Sequence, residues 1–95
     1  MDNQHRKITG YRELNEAEVA LMNKIKAQGA QLEALLGELH MHVGAQTIDA
    51  MNAGNKDAEA RIDQAQPSRW LAIARTDFQT GLMAAVRAVA QPAGF

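Results

Sequence analysis

The sequence predicts an all-α fold: an antiparallel helical hairpin with a short N-terminal arm or helix, completed by assembly with further copies of itself. Three observations lead there. Alanine and leucine carry the apolar load while aromatics are only 4% of residues, a composition that suits helices rather than a β-sandwich. Apolar residues recur every three or four positions through two long stretches, with turn signals between them. Finally, the chain has 95 residues and no cysteine. It therefore reads as one domain, 1–95, that buries little apolar surface and has no disulfide to compensate. Oligomerisation is the remaining way to gain buried surface.

Residues 1–14 form the arm. MDNQHRKITG is polar and lacks a hydrophobic signal core. No stretch approaches the roughly 20 apolar residues of a membrane span, so a cytosolic, soluble chain is expected. Gly10 permits an unusual backbone angle or a close approach. Tyr11, the one tyrosine, follows it.

The first long helix is expected over 15–43. Asn15 and Glu18 have the spacing of a capping box and mark its start. Leu21, Ile25, Leu32, Leu35 and Leu39 share one face, and Met22, Gly29, Leu36 and Val43 form a neighbouring stripe. Together they are too wide for one partner helix. One face should pack within the chain and the other against a second subunit. Gly29 and Gly37 each weaken a helix by about 1 kcal/mol relative to alanine. They are either tolerated or mark close backbone packing or a bend.

Residues 44–66 are expected to connect the helices. Gly44 and the run Asn52-Ala53-Gly54-Asn55 are turn signals. TIDAM and KDAEARIDQ read as short helical pieces, or the second runs into the last helix. That last helix is expected over 67–91. Pro67 suits a first-turn position, where its missing N–H does no harm. Trp70, Leu71, Ala74, Phe78, Leu82, Ala85 and Val89 would bury one side of it. Arg69, Thr76, Thr80 and Arg87, spaced seven, four and seven apart, form a second stripe. Its arginines and hydroxyls, with Asp77 the helix's one acid, suit an anion better than plain solvation.

Net charge is −1, so bulk charge does not make the chain a binder of DNA or RNA polymers. The charge is uneven: residues 1–26 carry five basic and four acidic groups, 27–66 two and six, and 67–95 three and one. The two ends can face a small anion; the middle would repel one. Phosphate-loop, dinucleotide-fold and nucleophile-elbow motifs are absent. His40 and His42 stand about 200° apart on a helix and cannot reach one metal. Asp57, Glu59 and Asp63 read as a solvated face. No catalytic residue, metal or cofactor is expected. Tyr11 beside Arg12, Arg6 and Lys7 suits a base stacked on the ring with phosphate on a cation. As simpler readings, Tyr11 is a packing residue, the hydroxyls bond the backbone one turn earlier, and the arginines pair with glutamates of the first helix.

Three blocks, HRKITGYREL at 5–14, ALMNKIK at 20–26 and RWLAIARTDFQTGLMAAVRAVAQP at 69–92, resemble a phage family. These are the small anti-CBASS cyclic-oligonucleotide sponges, grouped by their hairpin domain with a sponge against Thoeris signalling. The resemblance covers both ends of the chain and leaves out the middle. It implies a homohexamer in the host bacterial cytoplasm that binds cyclic nucleotides without cleaving them. Cyclic dinucleotides would lie between two protomers, with Tyr11 stacked on a base and Lys26 on phosphate; Arg12 is a further candidate there. Cyclic trinucleotides would occupy a separate pocket where three protomers meet, with Arg75, Thr76 and Gln79 in its lining. The polar stripe adds Thr80. Two other readings compete: a helical-hairpin module for protein partners with no nucleotide ligand, and a phosphodiesterase that degrades the signal, which the missing catalytic pairs disfavour.

Overall fold

The computed structural model describes residues 12–94. Three helices follow in order, α1 (Glu16–Asn52), α2 (Lys56–Ala65) and α3 (Pro67–Ala90), with no strand among the described residues. α1 and α3 lie side by side and antiparallel, and α2 folds back on the end of α1.

The start of α1 is the expected capping box. The Asn15 side chain accepts the Glu18 backbone N–H at 2.9 Å, and the Asn15 N–H donates to Glu18 Oε1 at 2.9 Å. The two satisfy backbone groups that a helix start leaves unpaired.

The end of α1 corrects the expected boundary. The helix does not stop at Val43 but continues through Gly44 to Asn52. A lone glycine weakens a helix by about 1 kcal/mol but does not terminate it. Continuing allows Ala50 to be buried at the junction with α2. Thr47 keeps its hydroxyl satisfied by donating to the Val43 carbonyl at 3.0 Å. The terminator is Gly54, at φ 62°, where a side chain would be strained. Around it the Gly54 N–H donates to the Met51 carbonyl at 3.2 Å and the Asn55 N–H to the Ala50 carbonyl at 2.9 Å, a Schellman closure. Asn55 then caps α2, its side chain accepting the Ala58 N–H at 3.1 Å.

KDAEARIDQ therefore forms a separate helix and does not run into α3. Pro67 lacks the N–H that would continue the ladder, and it disfavours the right-handed helical region for the residue before it. Gln66 accordingly takes a left-handed conformation, φ 50°, and closes α2 with an N–H bond to the Ile62 carbonyl at 3.0 Å. At the far end α3 stops at Ala90, and Gln91 turns left-handed before Pro92.

Of the two apolar stripes on α1, Met22, Gly29, Leu36 and Val43 face inward, joined by Ile25 and Leu32. Leu21, Leu35 and Leu39 remain exposed. On α3, Leu71, Ala74, Leu82, Ala85 and Val89 are half-buried, whereas Trp70 and Phe78, both expected inside, are 58% and 36% exposed. A methyl group at Gly29 would stand 3.3 Å from Leu82 Cδ1, so this glycine marks a close approach of the helices; Gly37 has nothing within 4 Å.

The result is a rod of 66 × 24 × 19 Å with a radius of gyration of 20.3 Å, against about 12 Å for a compact chain of this length. It exposes 7668 Å², where a compact monomer of the same mass exposes about 5400 Å². Among the described residues, the buried apolar side chains are Leu36, Ala50 and Ala90.

Candidate functional site

Along one flank of the hairpin, α1 and α3 line an open groove of about 1250 Å³. Its floor is apolar, with Met22, Ile25, Leu32 and Leu36 from α1 and Phe78 and Leu82 from α3. Its walls are polar, with Lys26 on α1 and Arg75, Gln79, Thr80 and Arg87 on α3. The helical period explains the α1 wall: Asn23, Lys26, Ala30 and Glu33, spaced three, four and three, form a stripe beside the packed one. Lys26 is exposed there.

Four of the expected site residues thus meet in one groove: Lys26, Arg75, Gln79 and Thr80. Thr76 does not join them. It lines a shallow recess with Arg69, Ala72, Ile73 and Asp77. The polar stripe is accordingly split, with Thr80 and Arg87 in the groove and Arg69 and Thr76 in the recess. Tyr11, with Arg6 and Lys7, lies outside the described residues. Sequence reasoning left Arg87 and Glu33 out of the site. Arg87 was visible in the stripe; Glu33 is seven residues, two helical turns, beyond Lys26 on the same side of α1.

Chemically, the groove offers three cations (Lys26, Arg75 and Arg87) and three neutral polar side chains (Asn23, Gln79 and Thr80) above an apolar floor. Such a surface takes a ligand with both anionic and flat apolar parts. Glu33 makes one end less hospitable to negative charge. Among the described residues no three His, Asp or Glu side chains come together as a metal-holding group.

The arginines have other partners than the glutamates expected for them. The Arg69 guanidinium lies 5.3 Å from the centre of the Trp70 ring, a cation–π distance. Arg87 Nη2 donates to the Gly94 carbonyl at 2.6 Å and holds the tail against the end of α3. Arg12 is the arginine that pairs with an α1 glutamate. Its Nη1 donates to Glu18 Oε1 at 3.0 Å, and its Nη2 forms an ion pair with Glu18 Oε2. The same Nη2 donates to the Val89 carbonyl at 2.8 Å. The hydrogen bond from Arg12, and secondarily the Asn15 backbone bond, holds the Glu18 carboxyl below its usual range. Glu18 in turn raises the Arg12 guanidinium above its already high value.

Fold and site together define a class: a helical hairpin with a cation-walled groove along its length. The chain belongs to the Acb2/Tad1 hairpin-domain family, whose model matches residues 3–90. It is 44% identical to anti-CBASS protein 2 of Pseudomonas phage JBD67 over 108 aligned positions, covering 99% of this chain and 99% of the relative.

Proposed function

We propose that the protein sequesters cyclic di- and trinucleotide immune signals in the host bacterial cytoplasm, without cleaving them, and so blocks CBASS defence against phage. The observation that carries this reading is the groove that gathers Lys26, Arg75, Gln79, Thr80 and Arg87 over an apolar floor. A cyclic nucleotide has the matching parts: phosphates for the cations and base faces for apolar and aromatic surface. Lys26 contacts phosphate and Tyr11 stacks on a base, which contributes about 1–3 kcal/mol per base. Arg75, Gln79 and Thr80, with Thr76 contributed at the junction of copies, hold the trinucleotide. Membership in the family, and a relative named for action against CBASS, supports the biological setting.

Assembly into a homohexamer belongs to the same proposal. Leu35 lies nine residues from Lys26, half a turn around α1, and none of the exposed leucines Leu21, Leu35 and Leu39 lines the groove. An exposed apolar stripe of this kind is an interface for another protein. It also favours the alternative, a helical-hairpin module with protein partners and no nucleotide ligand.

Isothermal titration with a panel of cyclic di- and trinucleotides, with the ligand recovered after heat denaturation, separates these readings. Tight binding with intact ligand released is expected, at one dinucleotide per two chains and one trinucleotide per three. Lys26→Ala weakens dinucleotide binding, and Arg75→Ala weakens trinucleotide binding. Degraded ligand would make the protein an enzyme, and no binding to any ligand would leave the interaction module.

A further inference from the structure

Arg12 stands where two helix termini meet. Glu18, its carboxylate partner, is in the first turn of α1, and Val89, its carbonyl partner, is in the last turn of α3. The last four carbonyls of a helix have no partner within it. A cation there also meets the negative end of the helix dipole, and a carboxylate in the first turn of α1 meets a positive end. One guanidinium therefore satisfies a terminal carbonyl of α3 and a first-turn carboxylate of α1 together. Both anchor points adjoin the groove: Met22 is one turn beyond Glu18, and Ala90 follows Val89, and both line it.

We propose that Arg12 is a positioning residue: it staples the open end of the hairpin and so sets the width of the groove between the wall bearing Lys26 and the wall bearing Gln79 and Arg87. This rests on the reading of the groove as a cyclic-nucleotide site. The alternative role, direct contact with the ligand's phosphate, competes with contacts already made. The guanidinium is neutralised by a carboxylate and shared with a backbone carbonyl. Across the hairpin, α1 and α3 are otherwise joined by apolar packing: among the described hydrogen bonds, the Arg12–Val89 bond is the one that ties α3 to the chain at the start of α1.

The two roles predict opposite signs for Glu18→Gln. Glutamine retains an oxygen for the Asn15 N–H, so the cap survives. If Arg12 contacts phosphate, losing the Glu18 charge releases the arginine and removes a repelling carboxylate, so affinity rises. If Arg12 positions the groove, affinity falls. The experiment titrates wild type, Arg12→Ala, Glu18→Gln and the double variant with cyclic di-AMP and cyclic di-GMP, and follows amide hydrogen exchange in the last turn of α3. Each single variant is expected to weaken binding about tenfold, near the worth of one charge-assisted hydrogen bond. The double variant should be no weaker than the single ones, and exchange at residues 87–91 should quicken in all three. Circular dichroism confirms that each variant remains helical.

Tighter binding by Glu18→Gln, or unchanged exchange at the α3 terminus in Arg12→Ala, overturns the positioning role while leaving the sponge reading intact. Should wild type bind neither probe nor any other cyclic nucleotide, the sponge reading fails and the positioning role fails with it.

Discussion

Gly29 and Gly37 carry the same residue type in one helix and differ in what surrounds them. At Gly37 a methyl group meets nothing within 4 Å, whereas at Gly29 it meets Leu82 at 3.3 Å. Gly37→Ala should therefore stabilise the protein by about 0.5–1 kcal/mol, through reduced freedom of the unfolded chain. At Gly29 the same gain is offset by crowding, because Leu82 must shift by a few tenths of an ångström. Urea denaturation of the two variants reads the difference. A destabilised Gly37→Ala would mean that this glycine lies against a second copy. Sequence alone showed two interrupting glycines; only the distance to Leu82 tells which is a close approach. The sequence marked Lys26, Arg75, Gln79 and Thr80 as candidates, and the structure brings them to one groove. Thr76 shares a stripe with Thr80 but lines a different recess, because the groove takes one flank of α3 and not its whole outer surface.

At the scale of elements, the start of α1 was readable because a capping box is a local device: Asn15 and Glu18 satisfy each other's backbone groups whatever the remainder of the chain does. The end was not, since Gly44 is a weak breaker and the extra turns to Asn52 are kept by packing on α2. The α1 terminus also gives a pH dependence. Glu18 is held below its unfolded value of about 4.3, so its contribution to stability is fully present above that pH. It is lost as pH falls from there through the lowered folded value, because the unfolded chain binds the proton first. The raised Arg12 stays charged throughout, so it adds no slope in this window. Urea midpoints measured from pH 6 down to 2 should fall for the wild type, with a visibly shallower fall for Glu18→Gln.

At the scale of the whole molecule, a rod with three buried apolar side chains among its described residues is short of core. Leu21, Leu35 and Leu39 are 48%, 45% and 40% exposed, so each has unburied apolar area left to lose in an assembly. Full burial of a leucine contributes about 1.5–3 kcal/mol, so the three together are enough to bias association. Light scattering after size exclusion should give a mass several times 10.4 kDa for the wild type. Leu35→Glu, which places a charge in that stripe and leaves the groove side untouched, should lower it toward the monomer. An unchanged mass would put the interface elsewhere.

The sequence by itself determined the helical class, the hairpin order, the start of each long helix, and a family resemblance that the comparison with known proteins places on firm ground. These follow from short-range rules, such as periodicity, caps and proline geometry, that act within a turn or two of chain. Only the tertiary structure decided which apolar stripe of α1 faces α3, that Lys26 shares a groove with residues some fifty positions away, and that Arg12 joins the two ends of the hairpin. Those depend on how one helix is rotated and shifted against the other, and that is fixed by the fit of particular side chains, Leu82 over Gly29 among them, rather than by any pattern along the chain.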